Sequence, residues 1–473
     1  MRSAGYKALR HYPHSLSRVD MNIRLPPFSL RLGETAPLAT ALLAAAFVFW
    51  LYQPGYYSFD SAHQWWMART GALEDSHPVV MALIWQASRA VLPDPAGFFA
   101  LQLLMLWSGV ALVATALPVR TFWRCVAVLT LGAWPPFLAL QPHIWKDVWM
   151  VSAFFWAVGA LLHDMRNPNH AWRVLAIIAL SFAAAFRFNA IFGVLPLLLW
   201  LVQRESQLRP ALRVNRWARA GFFAGALSAV GFLAMLPAYV VPVKRVHVWP
   251  VIALWDLAAV SIQTGQQQIP APFLGRGAGI AELARDFRPD SNVPSFQSGA
   301  IHYWFEADFN NAERARLWKA WWTLPLREPK AWLAHRLRLF AYLLGLHQAE
   351  QPDTLVLMYG VVQLNDNPTL QVSAHPWRES LDALWHRCVD TLLFAGWAYA
   401  LAAIVLLLVA VARRCHAAAA VAASGLTMVL PLFVLAPSSE FRYLLWLVVS
   451  VPLAAMLLRW PAHAATMAPN EHP

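Results

Sequence analysis

Charge is what this chain most conspicuously lacks. Only 13% of its 473 residues are Asp, Glu, Lys or Arg, where a soluble protein carries about 25%. Hydrophobic residues make up 59% and the mean hydropathy is +0.45. That balance excludes an ordinary soluble domain and reads as a membrane protein. Cysteine is also scarce: Cys125, Cys388 and Cys415 are too few and too scattered for a disulfide framework and read as small apolar fillers. No Walker loop, GxGxxG, GxSxG elbow or paired zinc motif occurs, so nucleotide hydrolysis and serine chemistry have no support. His63, His77 and His143 lack the close spacing of zinc ligands, so no metal site and no required cofactor are expected. A divalent cation shared by two or three acids remains open. The net charge of +12 would suit nucleic acid, but the basic residues sit in short loops between apolar runs, as orientation signals do. Membrane lipids and phosphates, not nucleic acid, are the expected partners.

What is present is a series of apolar runs, at 37–53, 98–118, 126–140, 148–162, 174–186, 190–202, 220–241, 391–411, 417–435 and 444–458. An eleventh, 79–92, is about 14 residues long, where a span needs roughly 20. If it does not cross, every short basic loop falls on one side: VRTFWR, HDMRNPNHAWR, RESQLRPALRVNRWAR and ARRCH. The positive-inside rule therefore favours about ten transmembrane helices with both termini cytoplasmic and a re-entrant or juxtamembrane helix in the first outer loop. The expected organisation is a basic cytoplasmic leader (1–36), a membrane module (37–242) with its first outer loop at 54–97, a long outer loop (243–388), C-terminal membrane helices (389–460) and a cytoplasmic tail (461–473). Helices are expected inside the long loop at 249–262, 311–322 and 329–346, the last amphipathic with Pro in its first turn. Trp304, Trp318, Trp321, Trp322 and Trp332 suit an interfacial aromatic belt.

The stretch from 56 to 78, YYSFDSAHQWWMARTGALEDSHP, puts three acids, two histidines and an arginine beside a membrane. Asp60 reads either as the N-cap of a helix over 61–70 or as a general base whose pKa partial burial raises. His63 and Gln64 fall about one turn along the same helix. Asp75 or Ser76 is expected to cap the next helix, with Pro78 in its first turn, and His77 is a substrate-contact candidate. In QPHIWKD, Lys146 and Asp147 open a span: a self-neutralising pair, or a phosphate site at a helix start, with His143 nearby. Arg187 and Asn189 fall between two apolar runs, where an arginine is either snorkelling or functional. Glu440, Arg442 and Tyr443 start the last span, where Arg442 suits a phosphate fork. Asp256 is a lone acid in an apolar helix, and Arg187, Lys146 or Arg442 is its expected partner.

The order of these pieces, FDSAHQ then SHP, HIWKD, FRFNA and EFRY, resembles the GT-C superfamily of integral-membrane glycosyltransferases, which includes protein O-mannosyltransferases, aminoarabinose transferases and GtrII-like enzymes. The likeness covers about residues 37–260 and 330–460. It implies an all-α, polytopic GT-C-like fold and inverting transfer of a sugar from a polyprenyl-phosphate carrier to a glycan, lipid or protein acceptor, on the periplasmic face of a bacterial inner membrane. It also implies that Asp60 and Asp147 are the catalytic acids and that Lys146 holds the carrier phosphate. The chain departs from many relatives in having one acid in the first position and its long outer segment before the last three spans. The competing readings are a flippase of lipid-linked sugars and a polysaccharide polymerase or ligase.

Overall fold

The computed structural model describes residues 32–303, 309–364 and 366–459. The expectations for the leader up to residue 31, for Trp304 and for the tail lie outside these residues. Among the described residues the fold is all-helical, with isolated β-bridges between loops.

The first helix, α1 (Leu32–Tyr52), begins within the stretch read as leader. A loop leads to α2 (Phe59–Thr70) and α3 (Val79–Arg89), then to α4 (Ala96–Ala116). The apolar run at 126–140 is not one helix. It is divided between α5 (Thr121–Gly132) and α6 (Pro135–Leu140), with Pro135 and Pro136 in the first turn of the second, where proline is favoured. Next come α7 (Lys146–Arg166), α8 (His170–Phe186), α9 (Ala190–Leu208), the short α10 (Pro210–Val214) and α11 (Arg216–Val240). The segment between α11 and α18, expected above to be the long outer loop, holds α12 (Trp249–Thr264), α13 (Ile280–Asp286), α14 (Val293–Gln297), α15 (Asn311–Arg327), α16 (Pro329–Leu343) and α17 (Pro376–Cys388). The chain closes with α18 (Gly396–Ala412), α19 (His416–Val429), α20 (Leu432–Leu435) and α21 (Leu445–Arg459).

Among the described residues, six helical stretches are long and apolar enough to cross a membrane: Thr35–Tyr52, Ala96–Ala116, Lys146–Arg166, Arg216–Val240, His416–Leu435 and Phe441–Arg459. Three shorter apolar helices accompany them: Thr121–Gly132, His170–Phe186 and Gly396–Ala412. The chain has the make-up of an α-helical membrane protein. In α7, 83% of the apolar window is buried, against 11% in α11, so α7 is the axis of the bundle and α11 an outer wall. Close helix contact depends on small residues. At Gly425 of α19, an added Cβ would lie 2.1 Å from Ser450 Oγ of α21.

The outer segment has its own core, built around Leu254, Leu257, Phe273, Leu317 and Leu324. Asp256 sits at its base, and the expectation that Arg187, Lys146 or Arg442 would pair with it is corrected. Arg336 Nη2 lies 2.6 Å and His335 Nε2 3.1 Å from the carboxylate, and Trp321 Nε1 donates to it at 2.8 Å. These partners are on α15 and α16, which pack directly on α12, so the charge is paired locally. Burial raises the Asp256 carboxyl, but the Arg336 charge and the His335 contact together outweigh that and hold it below its ordinary value. Asp256 thus clamps α12 to α16, and it has no contact with the Asp60 group among the described residues. Asp256→Ala leaves a fully buried guanidinium uncompensated and is expected to cost about 3–5 kcal/mol in thermal unfolding, whereas Asp256→Leu combined with Arg336→Met regains most of that. A single variant as stable as wild type would contradict the clamp.

Candidate functional site

The loop between α1 and α2 is fixed from two sides. Tyr56 N donates to Pro142 O at 2.9 Å and Ile144 N to Tyr56 O at 3.1 Å. On the other side Tyr57 N donates to Gly360 O at 2.9 Å and Val362 N to Tyr57 O at 2.7 Å. Gly55 makes the approach possible, with φ +103° and Pro142 O only 3.1 Å from where a Cβ would stand. The loop before α7 and the returning end of the outer segment therefore hold Tyr56–Tyr57 between them.

Helix α2 starts one residue before Asp60. Ser58 is its N-cap and accepts from Ser61 N, so Asp60 is a first-turn residue and not the expected cap. Ser58 Oγ also accepts from Trp145 Nε1 at 2.9 Å, and Ser61 Oγ donates to Ile144 O at 2.7 Å. These bonds set α2 against the start of α7 and bring Asp60 beside Lys146. Gly71 ends the helix with φ 75°. The expected cap of α3 is also corrected. Pro78 is its N-cap and precedes the helix, while Asp75 accepts from Val246 N at 2.7 Å and pairs with Arg245.

A single cluster results. Asp60 Oδ2 lies 3.0 Å from Arg442 Nη1 and 3.5 Å from Lys146 Nζ. Arg442 also pairs through Nε with Glu440, and its guanidinium lies 4.8 Å over the Trp145 ring. Arg187 pairs with the fully buried Asp147, donates through Nε to Asn189 Oδ1 at 3.2 Å and stacks 4.6 Å over Tyr443. Tyr443 OH in turn donates to Glu440 Oε1 at 3.1 Å, beside Ser438 Oγ at 2.8 Å. Asp147 Oδ2 and Asn189 Nδ2 are buried without a hydrogen-bond partner among the described residues. Three cations, three carboxylates and two aromatic rings thus meet at one end of α7.

Electrostatics overturn the expected proton affinity of Asp60. Burial does raise it, but the charges of Arg442 and Lys146 outweigh burial and hold the carboxyl well below the ordinary carboxylate range. His77 Nδ1 is 3.4 Å from Lys146 Nζ, and its ring lies 5.5 Å from that of His63. Burial pushes His77 down to about 3, so it is neutral and can accept from the ammonium. His63 Nε2 bonds Glu74 Oε1 at 2.7 Å, and that bond, against burial, lowers the Glu74 carboxyl. Gln64 is buried and has no hydrogen bond to the Asp60 group among the described residues.

His143 packs inside the fold, away from the charge cluster's ion pairs. It is wholly buried, stacked 4.1 Å on Trp145, with Nε2 2.6 Å from Met358 O, and burial pushes it down to about 4. It joins the α7 entry to the outer segment. Among the described residues no three His, Cys, Asp or Glu side chains converge as a metal site. Residue patterns alone missed Trp145, which lies within HIWKD, and Ser438, two residues before EFRY. They also missed Asp382 of α17, which accepts from Tyr52 OH at 3.3 Å and from Tyr56 OH. Nothing in local sequence announces that link.

Beside the cluster runs an apolar groove. Its mouth, about 370 Å³, is lined by His77, Pro78, Phe188, Arg245 and His247. A neighbouring cleft of about 250 Å³ between α8 and α11 shares Val80, Ala185 and Pro237 with it. A third of about 430 Å³ against α4 and α7 shares Ile178 and Phe182 with the second. His77 lines the mouth and touches Lys146, so one residue joins groove and charge cluster.

His77 and His143 have an ordinary value of 6.5 but stay neutral in the folded chain down to about 3 and about 4. As pH falls below 6.5 the unfolded chain binds protons that the folded chain refuses. The stability they contribute is thus complete above that pH and lost towards about 4. Thermal unfolding between about pH 7 and 4 is expected to show this loss, with a shallower slope in His77→Gln. Identical slopes would contradict neutral burial of His77.

Comparison with known protein families, curated proteins and solved structures gives no match, so the geometry of the site carries the functional argument.

Proposed function

We propose that the chain is a GT-C-type membrane glycosyltransferase that takes a sugar from a polyprenyl-phosphate carrier and gives it to a glycan, lipid or protein acceptor. The observation that carries this reading is that Asp60 shares one carboxylate oxygen with Lys146 and Arg442, next to an apolar groove whose mouth is lined by His77. The polyprenyl chain lies in the groove and its phosphate reaches Lys146 and Arg442. That anion competes with Asp60 for the same two cations, and the freed carboxylate gains proton affinity. Asp60 then takes the acceptor's hydroxyl proton as the acceptor oxygen attacks the anomeric carbon. The bond from that carbon to the phosphate oxygen breaks, and its electron pair leaves with the lipid phosphate, held by the two cations. Asp147 orients Arg187, and the unpartnered Asp147 Oδ2 and Asn189 Nδ2 suit sugar hydroxyls.

The finer topology belongs to the same proposal. Helices α5 with α6, α8, α9 and α18 complete ten spans, α3 lies in the outer loop, and the cluster faces the periplasm of a bacterial inner membrane. In α7 the charged groups lie towards its two ends, Lys146 and Asp147 at one and Asp164 and Arg166 at the other, with an apolar middle. A transporter with a site at the midplane would place them otherwise.

The test is transfer from labelled polyprenyl-phosphate sugars in reconstituted vesicles. Asp60→Asn is expected to fold and to lose about 10²–10⁴-fold in rate. Arg442→Lys, which loses the fork, is expected to weaken carrier binding by about tenfold or more. An active Asp60→Asn would refute the assignment. Labelled lipid that changes leaflet without transfer would make the protein a flippase.

A further inference from the structure

Helix α15 is apolar on two faces. Leu317 and Leu324 belong to the core of the segment between α11 and α18. Trp318, Trp322 and Leu326 fall at i, i+4 and i+8 on another face, and all three are exposed, Leu326 by 82%. The next helix repeats the pattern: Leu333 and Leu337 of α16 are exposed at i and i+4, while Ala331 and Leu339 are buried. A surface helix of a soluble domain has one apolar face, turned to the core. A second face of that kind calls for a second apolar medium. We propose that the outward face of α15 and α16 lies in the surface of the lipid bilayer, at the level of the lipid phosphates.

Three observations converge on that partner. The first is where α16 is attached. Arg336 Nη1 donates to Ala436 O at 3.1 Å, and the rings of Trp332 and Phe340 pack edge-on against Phe433, with centroids 6.2 and 5.7 Å away. Phe433 lies in the last turn of the apolar stretch His416–Leu435, which is long enough to cross a membrane. Helix α16 is thus fastened to the end of a span, where hydrocarbon gives way to head groups. Leu333 and Leu337 precede Phe340 by seven and three residues, so they flank it on the same side of α16.

The second is charge. Lys319, Arg316 and Arg327 come next round α15 from its apolar stripe, and Lys330 and Arg338 stand beside Leu333 and Leu337 on α16. Helix α16 contains no acid, and the one acid of α15, Glu313, accepts from Asn310 N in the capping box. An apolar stripe edged by Lys and Arg is the pattern of a helix lying in an interface. Its apolar side sinks about 5–10 Å into the boundary of head groups and acyl chains, and its bases reach the phosphates.

The third is the division of labour among the tryptophans. Trp321 donates to Asp256 and Trp332 packs on Phe433, so these two face inward. Trp318 and Trp322 stack on each other at 5.8 Å on the outward face, where an amphipathic indole suits the head-group layer. Trp249 packs 5.2 Å from Trp318 and lines the groove mouth together with His77. The outward face therefore runs up to the mouth of the groove. Seated in lipid, it holds that mouth at bilayer level, where a lipid-borne ligand enters without crossing water.

The full-length protein, carrying Cys125→Ser, Cys388→Ser and Cys415→Ser, is given a single nitroxide through Leu326→Cys, Leu337→Cys or, on the basic side of α15, Arg316→Cys. Each is placed in nanodiscs of phosphatidylglycerol and phosphatidylcholine. Collision of the label with oxygen, which concentrates in lipid, is compared with collision with a water-soluble nickel chelate. The ratio of oxygen to nickel collisions at 326 and 337 is expected to exceed that at 316 several-fold. All three positions are exposed, so the labelled proteins are expected to unfold thermally as the unlabelled one does. Ratios at 326 and 337 no higher than at 316 would overturn the proposal, by placing the face in water. Labels shielded from both reagents would overturn it too, by showing that protein, such as a second copy of the chain, covers the face. The readout is independent of sugar transfer, so it stands or fails separately from the proposed reaction.

Discussion

Asp60 is held by two cations that come from distant parts of the chain, Lys146 at the start of α7 and Arg442 just before α21. Each of these charges would be costly alone beside a membrane, and each is made tolerable by the others. The surrounding structure follows from the need to assemble them. Ser58 and Ser61 bind α2 to the α7 entry, the Tyr56 bridges close the loop over it, and Glu440 and Trp145 fix Arg442. The same arrangement explains why Asp60 resists protonation: its surroundings were built for the anion. A second anion of matching geometry competes with it directly. In the proposed reaction the carboxylate stands where the carrier phosphate binds.

The parts of this arrangement legible in the sequence were those where membrane physics leaves few options. Charges at the ends of apolar runs stood out, and Asp60, Lys146, Asp147, Arg187, Glu440 and Arg442 do meet. The helices of the outer segment were legible too: 249–262 is seen as α12, and Pro329 opens α16 as expected. What failed was the assignment of partners and caps. Asp256 looked like part of the site because it was a lone acid, but its cations lie some eighty residues on in the same segment. Asp60 reads as a cap as readily as a base, and Ser58 fills the capping role, since either side chain can cap and only the helix register decides.

His143 shows a different limit. A histidine three residues before the start of α7 reads as a substrate contact, but its ring nitrogen faces the carbonyl of Met358, 215 positions away. The link from Tyr52 and Tyr56 to Asp382 spans more than 320 positions. Such contacts depend on where the outer segment returns to the bundle, which no local pattern encodes. The groove was likewise invisible, because Val80, Ala185 and Pro237 look like ordinary membrane-helix residues until α3, α8 and α11 bring them together.

The central claim is that carrier phosphate and Asp60 compete for Lys146 and Arg442. It is tested most directly by the pH dependence of transfer, comparing kcat/KM, which reports the free enzyme, with kcat, which reports the carrier-bound one. With its cations in place the free carboxylate stays ionised far into acid, so kcat/KM should hold at low pH. Once the phosphate has drawn the cations away, Asp60 takes up its proton more readily, and the acid limb of kcat should lie at higher pH by about one unit or more. Acid limbs that coincide would show that the carrier leaves the Asp60 pairing untouched, and would contradict the account.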